Sequence, residues 1–110
     1  MSYTSRIDWE VLRTFDSASL SGTYQALGTP LLHSAYKWKI INNSNVLITI
    51  SNDGINDKDV IPANSFCLYD ESIVGLNGQY PALPKGCQIS VKGSAGVGLV
   101  YLVIQYIITN

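Results

Sequence analysis

The last stretch of the chain, Leu99-Val100-Tyr101-Leu102-Val103-Ile104-Gln105-Tyr106-Ile107-Ile108, narrows the possible folds more than any other, because its ten residues contain no charge, no glycine and no proline. Its β-branched and aromatic content marks a strand, and it is too short to cross a bilayer as a helix. Side chains alternate along a strand, so Leu99, Tyr101, Val103, Gln105 and Ile107 share one face and Val100, Leu102, Ile104, Tyr106 and Ile108 the other. Both sets are apolar. A strand wet on one side would alternate with polar residues, so this one lies between two layers or is covered on its outer face by another subunit. In a small two-layer domain each strand turns one face outward, and the second face therefore needs a cover, from a loop such as 71–86 in a monomer or from another subunit or the surface of a larger assembly. Val100, Leu102, Ile104 and Tyr106 are the candidate contact residues on this strand.

At 110 residues the chain suits one domain spanning 1–110, with residues 1–5 expected as a loose N-terminal arm. Charged residues make up 14% of it, against the ~25% usual for soluble domains. With seven Tyr and two Trp, that sparing charge points to a surface partly covered by partners. A net charge of −1 supplies no basic field, which argues against nucleic acid as ligand. Lys37 and Lys39 form the one close basic pair and read as a solvated strand face. No charged and then apolar leader opens the sequence, and no stretch is long enough to span a membrane, so neither secretion nor a membrane partner is expected. Cys67 and Cys87 read as two thiols that pack as small hydrophobes, although their separation leaves a disulfide open.

Taken in order, Ile7 to Phe15 alternates at period two and reads as a strand, with a helix over 7–14 as rival. Thr23 to Leu27 can form a short strand. His33 to Asn42 places Tyr36, Trp38 and Ile40 on one face and Lys37, Lys39 and Ile41 on the other. Asn43-Ser44 then supplies a two-residue connection to Val46–Ser51, and the two runs read as a β-hairpin over 35–51. Pro62 places Val60-Ile61 on an edge or in a loop. Ser65 to Asp70 and Cys87 to Lys92 are further strands, and Gly93 to Gly98 reads as a hairpin turn into the last strand. Residues 71–86 form a long excursion rich in Gly and Pro, and its Ile73, Val74, Leu76 and Tyr80 are candidate contact residues. About seven strands without an amphipathic helix specify an all-β antiparallel sandwich, jelly-roll-like in type.

Catalytic chemistry finds little support. His33, the single histidine, has no serine or cysteine at a motif spacing, and its Ser34 neighbour points to the opposite face. Asp53, Asn56, Asp57 and Asp59 share one loop, but their spacing fails the EF-hand pattern. Gly93–Gly98 lacks the Lys-Ser/Thr of a phosphate loop. Asp70 and Glu71 point apart. Asn42-Asn43-Ser44 matches a glycosylation sequon but reads as a turn. No catalytic residue, metal or cofactor is expected, and the chain reads as a non-enzyme.

The run Lys39-Ile40-Ile41-Asn42-Asn43-Ser44-Asn45-Val46, then Ile50-Ser51-Asn52-Asp53-Gly54, Asp59, Pro62, Asp70 and Gly98-Leu99-Val100-Tyr101, resembles small virion structural proteins of tailed bacteriophages. The resemblance covers residues 35–108 in loose pattern. It implies a non-enzymatic particle component, a capsid decoration (cement) protein or a head–tail or tail accessory protein, assembled in the host cytoplasm with other virion proteins as partners. It also implies a homo-oligomer, a trimer in the first instance. The alternative is a carbohydrate- or receptor-binding module of the adsorption apparatus, with Trp9, Trp38 and tyrosines stacking on sugar rings. A small hydrolase would lack its catalytic set.

Overall fold

Alternating apolar residues place nine strands in two antiparallel sheets: β1 Ser5–Trp9, β2 Arg13–Asp16, β3 Gln25–Ala26, β4 Lys37–Ser44, β5 Ile48–Ser51, β6 Asp59–Ile61, β7 Ser65–Asp70, β8 Ser90–Gly93 and β9 Gly98–Thr109. The structure is a computed structural model that describes residues 5–35, 37–70 and 83–109. Among them the only helical element is a single 3-10 turn, Ser17–Ser19. The rival helix over 7–14 is not formed, and the strand reading of this segment holds.

The first sheet runs β1-β9-β4-β7, with β2 paired to β9 beyond the end of β1, and the second runs β3-β8-β5-β6. From β2 onward the chain passes between the sheets so that β2-β9-β4-β7 faces β3-β8-β5-β6, the strand order of a jelly roll. Three expected elements are drawn accurately by the sequence pattern: the last strand, Ser65–Asp70, and the edge position of Val60-Ile61 in β6.

The hairpin expected over 35–51 is not one. β4 pairs with β7 and β9 in the first sheet, whereas β5 pairs with β6 and β8 in the second. Trp38 and Ile40 therefore face Ile48 and Ile50 across the core instead of lying beside them. Asn42 holds this arch. Its buried amide donates to the Val46, Ile61 and Pro62 carbonyls at 2.8, 3.1 and 3.0 Å, joining the end of one sheet to the other. Gly93–Gly98 likewise connects β8 to β9 across the sheets. Gly98 has φ 118°, and a Cβ there would sit 2.2 Å from the Asn43 carbonyl oxygen, so β9 can start this close to β4 only without a side chain.

The single strand expected over Ile7–Phe15 is two. Trp9 pairs with Gln105 and Arg13 with Leu102, so this edge carries one residue more than β9 over the same span. Such a bulge swaps faces. Trp9 points outward while Arg13 points in, with Glu10 still donating its amide to the Ile104 carbonyl at 3.1 Å.

The core lies between the sheets. Ile40, Val100, Leu102 and Ile104 of the first meet Ile48, Ile50, Ile61 and Val91 of the second, with Leu27, Leu31 and Ile89 packed at the side, all essentially excluded from solvent. Full burial of each such side chain contributes roughly 1.5–3 kcal/mol. This corrects the expectation that Val100, Leu102 and Ile104 contact a partner: the chain's own second sheet fills that face. Tyr106, on the same face, stacks on His33 with ring centroids 3.6 Å apart. Ile73, Val74, Leu76 and Tyr80 lie outside the described residues. Of the expected arm, residues 1–4 also lie outside them, and Ser5 already pairs with Thr109.

Candidate functional site

Since Val100, Leu102 and Ile104 fill the core, the other face of β9 forms the outside of the first sheet. The strand registers set its side chains in rows: Ile7 and Ile107; Trp9, Gln105 and Lys37; Val103, Lys39 and Leu68; Thr14, Tyr101, Ile41 and Phe66; Asp16, Leu99 and Asn43. Ile7, Trp9, Phe66, Leu68, Leu99 and Ile107 are exposed, Trp9 at 55% and Phe66 at 66%. Isolated exposed apolar residues are ordinary on a soluble surface, but a contiguous sheet face of them marks an interaction surface.

The contact residues expected on β9 are on its inward face, whereas the exposed apolar face includes Ile41, Phe66 and Leu68, which the sequence pattern did not single out, and Trp9, which it singled out only for sugar stacking. One signal was available. Gln105 is the single amide in the strand, and it lies with Leu99, Tyr101, Val103 and Ile107, the set that faces out.

Charge on this face is sparse. Asp16 uses Oδ1 to cap the Ala18 amide at 3.0 Å. Lys39, half-buried between Val103 and Leu68, has no hydrogen bond or ion pair among the described residues. Trp9, Leu68, Val103, Lys39 and Gln105 border a shallow hollow of about 130 Å³. Trp38, the other candidate for sugar stacking, is turned into the core and stacked on Tyr69 at 4.1 Å.

The ionisable groups elsewhere serve the fold. The bulge turns Glu10 inward, where its carboxylate accepts from Arg13 Nη2 at 2.7 Å, the His33 amide at 2.8 Å and the Leu32 amide at 3.3 Å, and lies 2.8 Å from His33 Nδ1. Burial alone would raise this carboxyl; the hydrogen bonds from His33, Arg13 and Leu32, with the charge of Arg13, together hold it below its ordinary value. Arg13 also donates to the Thr29 and Pro30 carbonyls, so the knot ties loop 27–35 to the first sheet. His33 is thus committed to a carboxylate and a tyrosine ring.

In the acidic loop, Asp53 accepts from Ser51 Oγ and the Ile55 and Asn56 amides, which holds its carboxyl far below the usual range. Asp57 pairs with Lys92 at 2.7 Å and accepts from Tyr24, whose hydroxyl is pushed up to about 12 by desolvation and by Asp57. Asp59 accepts from Tyr69. Three carboxylates thus have three separate sets of partners. Among the described residues no group of three or more His, Cys, Asp or Glu is placed to hold a metal ion. Cys67 and Cys87 are separate free thiols, and Asn42 of the sequon is buried.

No protein-family model and no curated protein matches the chain. Among solved structures, the chain is similar to one described as "Bacillus endospore appendages form a novel family of disulfide-linked pili", at 13% identity and a TM-score of 0.50, over 94% of this chain and 88% of that one. At that identity the likeness is one of fold.

Proposed function

We propose that this chain is a non-enzymatic structural subunit that works by protein–protein contact, associating with copies of itself and with other particle proteins through the outer face of its first sheet. The observation that carries the reading is the set of exposed apolar side chains on that face, Ile7, Trp9, Phe66, Leu68, Leu99 and Ile107, interspersed with Lys37, Lys39, Gln105 and Asp16. The resemblance of residues 35–108 to small tailed-phage virion proteins supplies the setting: a capsid decoration or tail accessory component, assembled in the host cytoplasm, with three-fold association as the family's implication. The structure of similar fold is named for pili, also a protein assembly, which supports a structural role. Those pili are disulfide-linked; within this chain Cys67 and Cys87 do not pair with each other, and the cohesion proposed here is apolar.

Exposed Trp9 beside Gln105 favours a second reading, a sugar-binding face, in which one pyranose ring stacks on the indole. The two readings part on a single pair of variants. Sedimentation velocity should show concentration-dependent association of the native chain. Tyr101→Lys should give a folded monomer, and Val100→Lys should fail to fold, since an unpaired charge in the core costs several kcal/mol. A native chain that stays monomeric at every concentration and is not retained by purified particles would overturn the reading.

A further inference from the structure

Among the described side chains on the outer face of the first sheet, Lys39 and Asp16 are a charge of each sign without an ion pair, set symmetrically about Tyr101. Lys39 lies one strand to the β4 side of β9 and one row up, level with Val103; Asp16 lies one strand to the β2 side and one row down, level with Leu99. We propose that the occupant of this face is a second copy of the chain, packed face to face about a two-fold axis that lies in the plane of contact and passes over Tyr101. This rests on the structural-subunit reading above and gives its self-association a geometry, a two-fold pair in place of the three-fold association that the resemblance implies.

A two-fold axis through Tyr101, at right angles to the line from Lys39 to Asp16, exchanges those two positions. Each Lys39 then comes over the partner's Asp16, so the same ion pair forms twice, as an isologous contact requires. The pairing answers a need that any cover must meet. Lys39 has no hydrogen bond or ion pair among the described residues, and sealing it under an apolar surface without an acid would bury an unpaired charge. Asp16 has only Oδ1 engaged, on the Ala18 amide, and keeps Oδ2 for a partner. The long lysine stem and the short aspartate together suit the ~10 Å that separates stacked sheets. Lys37, on the same face, has an interaction of its own within the chain.

Area bears on the strength of the contact. Sheet strands lie about 4.8 Å apart and rise about 3.4 Å per residue, so a four-strand face from Leu99 to Ile107 measures roughly 19 by 27 Å, about 500 Å² in projection. Tyr101 lies near the Leu99 end of that face, so an axis over it brings only about half of each face together, roughly 500 Å² over both copies before side-chain relief is added, below the ~1,000 Å² of a stable interface. The contact is therefore a weak one that forms reversibly at high concentration.

The test is a charge-swap series on the full chain, Lys39→Glu, Asp16→Lys and the two combined, followed by sedimentation velocity over a concentration series, with circular dichroism to confirm that each variant folds. The native chain is expected to reach a dimer. Each single swap sets like charges opposite one another at both symmetric positions and should raise the dissociation constant about tenfold or more, and the double swap should return it to near the native value. Association that Tyr101→Lys abolishes but neither swap alters would overturn the two-fold geometry while leaving the structural role standing. So would a trimer as the smallest assembly, or a double variant weaker than either single one. A native chain that neither associates nor binds particles removes both readings together.

Discussion

Replacing Glu10 by glutamine removes a charge while keeping shape, at a point where the first sheet is tied to loop 27–35. The side chains of Glu10 and Arg13 are 1% and 5% exposed, so the variant leaves a buried guanidinium facing a neutral amide. Removing one partner of a buried pair typically costs 3–5 kcal/mol. The glutamine oxygen can still accept from the Leu32 or His33 amide, and Arg13 retains the Thr29 and Pro30 carbonyls, so the low end, about 3 kcal/mol, applies. With a urea slope of about 1.5 kcal/mol per molar, the unfolding midpoint followed by tryptophan fluorescence should drop by about 2 M at neutral pH. The pH dependence has a definite sign. The folded carboxyl titrates below its ordinary value of 4.5, so its contribution is complete above that value and is lost as pH falls through the lower folded value. Glutamine has no such titration, and the gap between the two proteins should therefore narrow below about pH 4.5. A midpoint shift under about 0.3 M at neutral pH, or a gap that stays constant into acid, would refute this account of the knot.

Two other positions should be costly for different reasons. Gly98→Ala adds a Cβ at φ 118° and 2.2 Å from the Asn43 carbonyl oxygen, and should lower stability by at least about 2 kcal/mol in urea unfolding; an unchanged midpoint would mean that β9 starts farther from β4. Asn42→Ala strips the donor shared by the Val46, Ile61 and Pro62 carbonyls and should cost about 3 kcal/mol, with faster amide exchange at both ends of the β4–β5 arch as the local signature. Protection in that arch equal to the native level would show that the backbone there does not depend on the asparagine.

Period-two alternation was enough to establish strands, and it located β7 and β9 closely, because side-chain alternation is a property of one strand by itself. The solvated placing of Lys37 and Lys39 against buried Trp38 and Ile40 was legible for the same reason. Which strands pair is not such a property. β4 and β5 show the same alternation whether they lie side by side in a hairpin or face each other across a core, and only the arch held by Asn42 selects the second. The bulge at Glu10 is equally hidden, since one extra residue on an edge leaves the local pattern intact while sending Trp9 out and Arg13 in. The knot of Glu10, Arg13 and His33 joins groups as far as 23 positions apart in the chain. In β9 the sequence showed two apolar faces and required a cover for one of them. A strand apolar on both sides reads the same when its faces are exchanged, and it is the second sheet, packing Ile48, Ile50 and Val91 against Val100, Leu102 and Ile104, that makes Tyr101, Val103 and Ile107 the outward face.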